Sequence, residues 1–243
     1  MRVRIGTAGW AIGRAGGSAF PAEGSGLERY ARVLPIAEIN SSFHRPHRPA
    51  TWERWRDSVP DDFRFSVKIS KVISHERKLA DCEELIGPFL DQVHLLGDRL
   101  AVLLLQLPPK LGFDAEVTGK FLTALTRATD ARIVVEPRHA SWFAAEPEEM
   151  LIQQRIARVA ADPAITPSAA VPGGWRGFEY WRLHGSPQKY RSSYADRMEE
   201  LCVALTRKGE ANERWCIFDN TASSAAIGDA LDLHQRTAGH EMR

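Results

Sequence analysis

Residues 63–68 read Phe-Arg-Phe-Ser-Val-Lys and alternate strictly between apolar and polar side chains. This alternation predicts a β-strand, because successive side chains of a strand point to opposite faces. We expect the odd-numbered apolar side chains to pack against helices. The even-numbered polar side chains, which end on Lys68, are expected to face the interior of a barrel.

The same parity places polar residues on one face of three other predicted strands: Glu38 with Asn40, Arg132 with Glu136, and Arg182 with His184. Buried parallel strands normally carry continuous apolar runs. Polar groups inside a barrel cost free energy unless they pair with one another or serve a site. The polar parity therefore indicates either an ion-paired plug or a functional site.

Eight strand-like runs occur along the chain: Val3–Thr7, Ile36–Asn40, Phe63–Lys68, Ala101–Gln106, Arg132–Glu136, Ile156–Asp162, Tyr180–His184 and Arg214–Phe218. Helical runs separate most of them: Leu27–Leu34, Trp52–Val59, Asp81–Leu96, Asp114–Ala128, Glu148–Gln154 and Tyr194–Arg207, with Ser223–His234 at the end. Alternating strands and helices predict parallel βα units. Eight such units favour a closed barrel over an open sheet.

The fold class is therefore α/β, a single (β/α)8 TIM barrel over residues 1–243. Such barrels typically need about 250 residues, so we expect short loops. Residues 163–177 contain three prolines and a Gly-Gly pair. This segment predicts a loop after the sixth strand, so that one crossover helix is missing. Four tryptophans are expected to pack between barrel and helices: Trp52, Trp55, Trp181 and Trp215.

Composition restricts the class of protein. Lys and Arg number 32 and Asp and Glu number 31, which argues against a dedicated nucleic-acid binder without excluding a local basic patch. Three isolated cysteines with no CxxC pair argue against a zinc ribbon and for reduced thiols. Neither a signal peptide at Met1–Trp10 nor a membrane span is expected, so we predict a cytoplasmic protein.

Several motifs resemble the YecE-like family, domain of unknown function seventy-two. They are Ile5-Gly6-Thr7-Ala8-Gly9-Trp10, Glu38-Ile39-Asn40-Ser41-Ser42-Phe43, Phe63–Lys68, Gln106-Leu107-Pro108-Pro109, Glu136-Pro137-Arg138-His139-Ala140-Ser141-Trp142, Arg182-Leu183-His184-Gly185 and Asp219-Asn220-Thr221. The resemblance covers nearly the whole chain and implies a TIM barrel, with no settled activity. The chain departs from the family pattern at Asp219, where Asn is usual, and in the Gly- and Ala-rich loop from Ala11 to Phe20.

In TIM barrels the active site lies at the carboxyl ends of the strands. Polar residues stand at or just beyond these ends, and we predict that Lys68, Glu136 and His184 are catalytic. The predicted substrate-binding residues are Asn40, His75, Gln106, Arg138, Asp162, Arg182, Tyr190, Tyr194 and Asn220. The alternative is that the strand ends form a hydrogen-bonded plug.

Each catalytic candidate has a chemical reason. A lysine in a barrel mouth is partly desolvated, which lowers its pKa. Lys68 would then act as a Schiff-base nucleophile, or stay charged and hold a phosphate or carboxylate. Glu136 is the expected general base, and Arg138 would orient it or hold an anion. His184 would shuttle protons near neutral pH.

Three functions follow as hypotheses. The first is an enzyme acting on a small anionic substrate by acid–base chemistry. The second is a metal-assisted phosphodiesterase or nuclease-like barrel, and the third is a non-catalytic ligand-binding barrel. We predict no cofactor, no metal ligand and no membrane partner. Binding of a divalent metal remains an open alternative, since carboxylates and an imidazole could hold one. The possible ligands are Glu38, Glu136, Asp162, His184 and Asp219. The sequence gives no oligomeric state.

Overall fold

The computed structural model describes residues 1–13 and 16–241, with only the backbone of His240 and Glu241. Arg14 and Ala15, in the glycine-rich loop, lie outside the described residues. The strands are β1 (Arg2–Ala8), β2 (Ile36–Ile39), β3 (Arg64–Lys68), β4 (Leu100–Gln106), β5 (Arg132–Glu136), β6 (Ala157–Arg158), β7 (Ala160–Asp162), β8 (Gly173–Gly174), β9 (Phe178–Leu183) and β10 (Glu213–Phe218).

The helices are α1 (Gly26–Ala31), α2 (Pro49–Asp57), α3 (Glu83–Val93), α4 (Ala115–Ala128), α5 (Ala145–Gln153), α6 (Met198–Thr206) and α7 (Ala225–Glu241). Local sequence explains their starts. Ser25 and Glu28 form a reciprocal capping box at α1, and the Asp114 side chain accepts from the Val117 N–H at α4. A π-helical turn, Val72–Glu76, follows β3 and was not predicted.

Within the described residues, the barrel wall has eight parallel strand positions, the sixth of which is divided between two short strands. Parallel neighbours run in the order β9, β10, β1, β2, β3, β4, β5. The predicted sixth strand closes the barrel in two halves separated by Val159. Its first half, β6, pairs with β5, and its second half, β7, pairs with β9. The predicted TIM barrel is confirmed.

The missing crossover helix is also confirmed. Between β7 and β9 the structure has a single 3-10 turn, Pro167–Ala170, and the short strand β8, which pairs antiparallel with β6. Proline and glycine prevent a longer helix here because they remove backbone donors and raise the entropic cost of ordering.

Side-chain parity divides the core into two layers. Phe65 and Val67 pack in the outer layer, between strands and helices, whereas Ser66 lies buried inside the barrel. The expectation for Trp215 was wrong. Its ring packs inside the barrel at 6.1 Å from that of Tyr180, because both share the inward parity of their neighbouring strands.

Candidate functional site

Arg182, at the carboxyl end of β9, lies at the centre of a buried group of charges. Its Nε and Nη2 donate to the two oxygens of Glu38 at 3.0 and 2.7 Å. Nη1 donates to Glu136 at 2.5 Å, and Nη2 also donates to Asp219 at 3.1 Å. One guanidinium therefore binds three carboxylates. Burial alone would lower the pKa of Arg182, but these carboxylates raise it well above its ordinary value.

His184 stands two residues beyond Arg182 on the same face and is fully buried. Its Nδ1 lies 2.8 Å from Asp219 Oδ2, and its Nε2 lies 2.9 Å from Glu136 Oε1. Both neighbours are hydrogen-bond acceptors when ionised. Each ring nitrogen of His184 therefore faces a carboxylate oxygen.

Glu136 accepts at both carboxylate oxygens. Arg138 Nη2 contacts the same Oε1 that His184 approaches, which brings that Nη2 within 2.8 Å of His184 Nε2. Burial alone would raise the pKa of Glu136, but Arg182, His184 and Arg138 hold it well below its ordinary value. A carboxylate so stabilised is a weak proton acceptor.

Lys68 ends β3 beside this group, yet none of the described carboxylates lies within the 4.0 Å of an ion pair from its Nζ. The ammonium lies 4.0 Å above the ring of Phe43. Its pKa is lowered to about 8, mainly by burial and next by Arg182, while Glu38, Glu136 and Asp219 act in the opposite direction. We call these seven residues the mouth cluster: Glu38, Lys68, Glu136, Arg138, Arg182, His184 and Asp219.

Four of the predicted binding residues border the mouth cluster. The Gln106 amide oxygen lies 3.5 Å from Arg182 Nη1, and the Tyr190 ring lies 5.8 Å from that of His184. The His75 ring contacts Phe43 at 4.9 Å. Asn40 follows β2, and its buried Oδ1 has no hydrogen-bond partner among the described residues. Burial and the charge of Lys68 lower the pKa of His75.

Three predicted binding residues have their side-chain partners away from the mouth cluster. Asp162 accepts from the Tyr194 hydroxyl at 3.0 Å and from Arg197 at 2.7 Å. Tyr194 is fully buried, and its ring packs at 5.9 Å from that of Phe218. Asn220 donates to Asp229 of α7 at 2.7 Å. These side chains face the helix layer. Asp162 has the outward parity of its strand, and Tyr194 and Asn220 follow their strands in the chain.

Four residues at the mouth were not predicted as site residues. Glu38 and Asp219 were considered only as metal ligands. The inward parity of Glu38 and the position of Asp219 just beyond a strand were the available signals. Phe43 lies in the Ser41-Ser42-Phe43 segment, whose conformation the sequence did not reveal. Lys189 lies in the loop after β9, where burial and Arg138 lower its pKa; its position beside Tyr190 was the available signal.

Among the described residues there is no group of three or more His, Cys, Asp or Glu side chains arranged to hold a metal ion. The carboxylates that could act as ligands at the mouth instead bind Arg182 and Arg138. In residues 1–13 and 16–241, no helix combines the length and hydropathy needed to cross a membrane.

Comparison with known proteins places this geometry in a family. The family model described as "Protein of unknown function DUF72" matches residues 4–242. The chain belongs to the DUF72 family. The predicted family resemblance is thereby confirmed.

Two curated proteins are similar to part of this DUF72 chain. "UPF0759 protein YecE" of Escherichia coli (strain K12) is 32% identical over 146 residues, which are 60% of this chain and 53% of that protein. "UPF0759 protein YunF" of Bacillus subtilis (strain 168) is 27% identical over 123 residues, 48% of this chain and 44% of that protein. The matched region thus spans about half the length of these relatives.

Solved DUF72 structures share the fold. A DUF72 family protein from Enterococcus faecalis has a TM-score of 0.81 at 22% identity, covering 97% of this chain and 95% of its own. One from Thermotoga maritima has a TM-score of 0.77 at 23% identity, covering 97% and 98%. These likenesses establish the TIM-barrel fold and carry no activity with them.

Proposed function

We propose that the protein is an enzyme that binds a small phosphate- or carboxylate-bearing substrate at the mouth cluster and transfers a proton to or from it. One observation carries the proposal. Lys68 is held among three carboxylates, and none of them is paired with it. A half-buried cation without a counter-ion is costly, and such groups concentrate at functional sites.

The pairing of the carboxylates explains why Lys68 is left unpaired. Glu38 is bound on both oxygens by Arg182, and Glu136 is shared by Arg182, Arg138 and His184. The cations Lys68, Arg138, Arg182 and Lys189 exceed the carboxylates Glu38, Glu136 and Asp219 by one formal charge. An anionic group on the substrate would supply the missing negative charge, through charge-assisted hydrogen bonds to Lys68 and Arg138.

Proton transfer is assigned chiefly to Lys68. Its pKa of about 8 is close to neutral pH, where a group works best as both proton donor and acceptor. Glu136 is held ionised by its cationic neighbours, so we assign it the role of positioning His184 and Arg138. This differs from the sequence-based expectation of Glu136 as general base. His184 remains a candidate proton carrier, with Tyr190 packed against its ring.

The experiment has two readouts on the same samples. Titration calorimetry with inorganic phosphate and with acetate at pH 7 measures anion binding. NMR in D2O, with a panel of small phosphorylated sugars and oxo acids, measures exchange of carbon-bound hydrogen for deuterium. We expect saturable anion binding, weakened about tenfold to a hundredfold in Lys68→Met through loss of a charge-assisted hydrogen bond. The same variant is expected to lose exchange.

Lys208→Met is the matched control, since Lys208 is exposed in the loop between α6 and β10 at the opposite end of the barrel. It should bind and exchange like the unmodified protein. Anion binding without exchange of any panel compound would favour the ligand-binding barrel. Equal anion affinity in Lys68→Met and Lys208→Met would refute the proposed site.

A further inference from the structure

A second lysine lies on the side of the mouth opposite Lys68. Lys68 ends β3, and Lys189 lies in the loop that follows β9. Around the barrel wall these two strands are separated by β10, β1 and β2 on one side, and by β4, β5 and the divided β6–β7 position on the other. The interior of an eight-stranded barrel is just wide enough for side chains to fill. Two side chains that reach inward from opposite positions can therefore contact the two ends of one small molecule.

The ammonium of Lys189 lies beside the mouth cluster, although the residue as a whole is exposed. Its Nζ lies 5.1 Å from the centroid of the Tyr190 ring, and that ring lies 5.8 Å from the ring of His184. Partial burial and the charge of Arg138 lower the pKa of Lys189, while Glu136 acts in the opposite direction. The charge of Lys189 is therefore within electrostatic range of the mouth cluster.

The backbone of Tyr190 fixes the loop in this position. Its φ of 66° lies in the left-handed region, which bulky residues rarely adopt. The Tyr190 N–H donates to the His184 carbonyl, and the Ala222 N–H donates to the Tyr190 carbonyl at 3.0 Å. Backbone conformations of this kind cost free energy and are concentrated at active sites and ligand-binding segments. The loop therefore holds Lys189 beside the mouth through backbone bonds on both sides of Tyr190.

Lys189 shares with Lys68 the lack of a counter-ion. In the described part of the chain, no carboxylate forms an ion pair with Lys189. The two carboxylates that raise its pKa, Glu136 and Asp219, are instead bound by Arg182. Each of the two ammonium groups lies over an aromatic ring. Both sides of the mouth therefore offer a cation that an anionic group of a ligand can pair with.

From this arrangement we infer that the substrate carries two anionic groups joined by a short carbon chain, one bound by Lys68 and the other by Lys189. The inference rests on the proposed function, which supplies the group at Lys68. The carbon chain then crosses the mouth between the two lysines, beside His184. The second anionic group lies at the exposed rim, where water and salt screen its charge.

The test uses the linear dicarboxylates from succinate to suberate, each beside the monocarboxylate of the same chain length, in titration calorimetry at pH 7. We expect one dicarboxylate to bind about tenfold more tightly than its monocarboxylate, the effect of one charge-assisted hydrogen bond. Lys189→Met should abolish this preference and leave the affinity for monocarboxylates unchanged. Lys68→Met should weaken the binding of both kinds of probe.

Arg191→Met is the matched control, because Arg191 is an exposed cation of the same loop, and it should keep the full preference. The inference is overturned if no chain length shows a preference, if the preference persists in Lys189→Met, or if Arg191→Met loses it equally. In each of these cases, monocarboxylate binding that depends on Lys68 would still uphold the proposed function. Monocarboxylate affinity unchanged in Lys68→Met would refute the proposed function, and the inference with it.

Discussion

Two clusters of charged side chains occupy opposite ends of the barrel interior. At the amino end, Glu213 accepts from Arg4 at 2.9 Å and from Arg132 at 2.7 Å, and the Arg4 Nη1 donates to the Asp62 carbonyl at 2.9 Å. We call Arg4, Arg132 and Glu213 the floor cluster. Its one carboxylate is bound by both arginines, so the floor cluster has no unpaired carboxylate.

The mouth cluster differs from the floor cluster because polar groups in and beside it have no partner among the described residues. Lys68 has no carboxylate partner among the described residues, and the buried Arg138 Nε and Asn40 Oδ1 have no hydrogen-bond partner there. Buried polar groups in folded proteins are nearly always paired, so each exception calls for a reason. The two clusters therefore differ in their pairing, and the unpaired groups of the mouth cluster support the anionic ligand that we propose for it.

The largest difference between the clusters is expected from Arg182→Met. The change leaves Glu38, Glu136 and Asp219 without their shared cation. Removing one partner of a buried ion pair costs about 3–5 kcal/mol. Here Glu38 loses its arginine partner, while Glu136 keeps Arg138 and Asp219 keeps His184. We expect a loss of at least this size in the free energy of unfolding, measured by urea denaturation at pH 7.

Arg132→Met in the floor cluster is the comparison, because the Arg132 side chain is 43% exposed. Ion pairs open to solvent contribute only about 0–1 kcal/mol. If both methionine variants lose the same stability, the two clusters are energetically equivalent and the distinction between them is wrong.

Lys68→Met should have a smaller effect on stability, with the opposite sign at pH 7. The pKa of Lys68 is lowered from 10.5 to about 8 by folding, and one pKa unit corresponds to about 1.4 kcal/mol. Below pH 8 the lysine is charged in both states, so the cost of burying it is fully present. Between pH 8 and 10.5 the unfolded chain binds the proton that the folded chain has lost, and stability rises with pH.

We therefore expect Lys68→Met to be more stable than the unmodified protein at pH 7, by up to about 3 kcal/mol. This advantage should disappear towards pH 10.5. Urea denaturation at several pH values measures it, with Lys208→Met as control. A large loss of stability at pH 7 would show that Lys68 is part of a hydrogen-bonded plug.

Strand parity made the barrel and half of its site predictable. The alternation at residues 63–68 and the pairs Arg182–His184 and Glu38–Asn40 follow from backbone geometry, which the sequence reflects directly. Strand parity does not predict which carboxylate binds which cation, because this pairing depends on the angular positions of the strands around the barrel. The sequence thus indicated that Glu38, Glu136 and Asp219 lie near Lys68 and that Arg138 could orient Glu136, but not that Arg182 binds all three carboxylates.

Residues just beyond the strands were the weakest part of the prediction. Asp162 and Asn220 stand at strand ends, like Lys68 and Glu136, yet they bond to Tyr194 and Asp229 in the helix layer. Position at a strand end fixes height in the barrel but not the face towards which the side chain points. The π-helical turn after β3, which brings His75 to Phe43, has no periodic signal in the sequence.

Asp219→Asn should have a moderate effect on the free energy of unfolding and should change the pKa of Lys68 in the same mouth cluster. Asp219 is 13% exposed in its side chain and accepts from Arg182 and His184. An asparagine keeps one accepting oxygen but loses the charge, so we expect a loss of about 1–2 kcal/mol in unfolding free energy. Because the charge of Asp219 raises the pKa of Lys68, that pKa should fall below its present value.

Urea denaturation gives the first quantity, and NMR titration of the Lys68 side chain, assigned with Lys68→Met, gives the second. Glu213→Gln at the floor is the control and should leave the pKa of Lys68 unchanged. A rise in the Lys68 pKa in Asp219→Asn would contradict the electrostatic account of the mouth cluster.

The smallest effect on the mouth is expected from Tyr194→Phe. The Tyr194 hydroxyl accepts from the Gly185 N–H at 2.9 Å and donates to Asp162 at 3.0 Å. Phenylalanine keeps the buried ring and loses both bonds, which should cost about 1–3 kcal/mol in unfolding free energy, because the Gly185 N–H is left unpaired. The phosphate affinity of the mouth cluster should not change, since Tyr194 faces the helix layer. Calorimetry with inorganic phosphate, beside Lys68→Met, tests this: a comparable loss of affinity in both variants would return Tyr194 to the binding site.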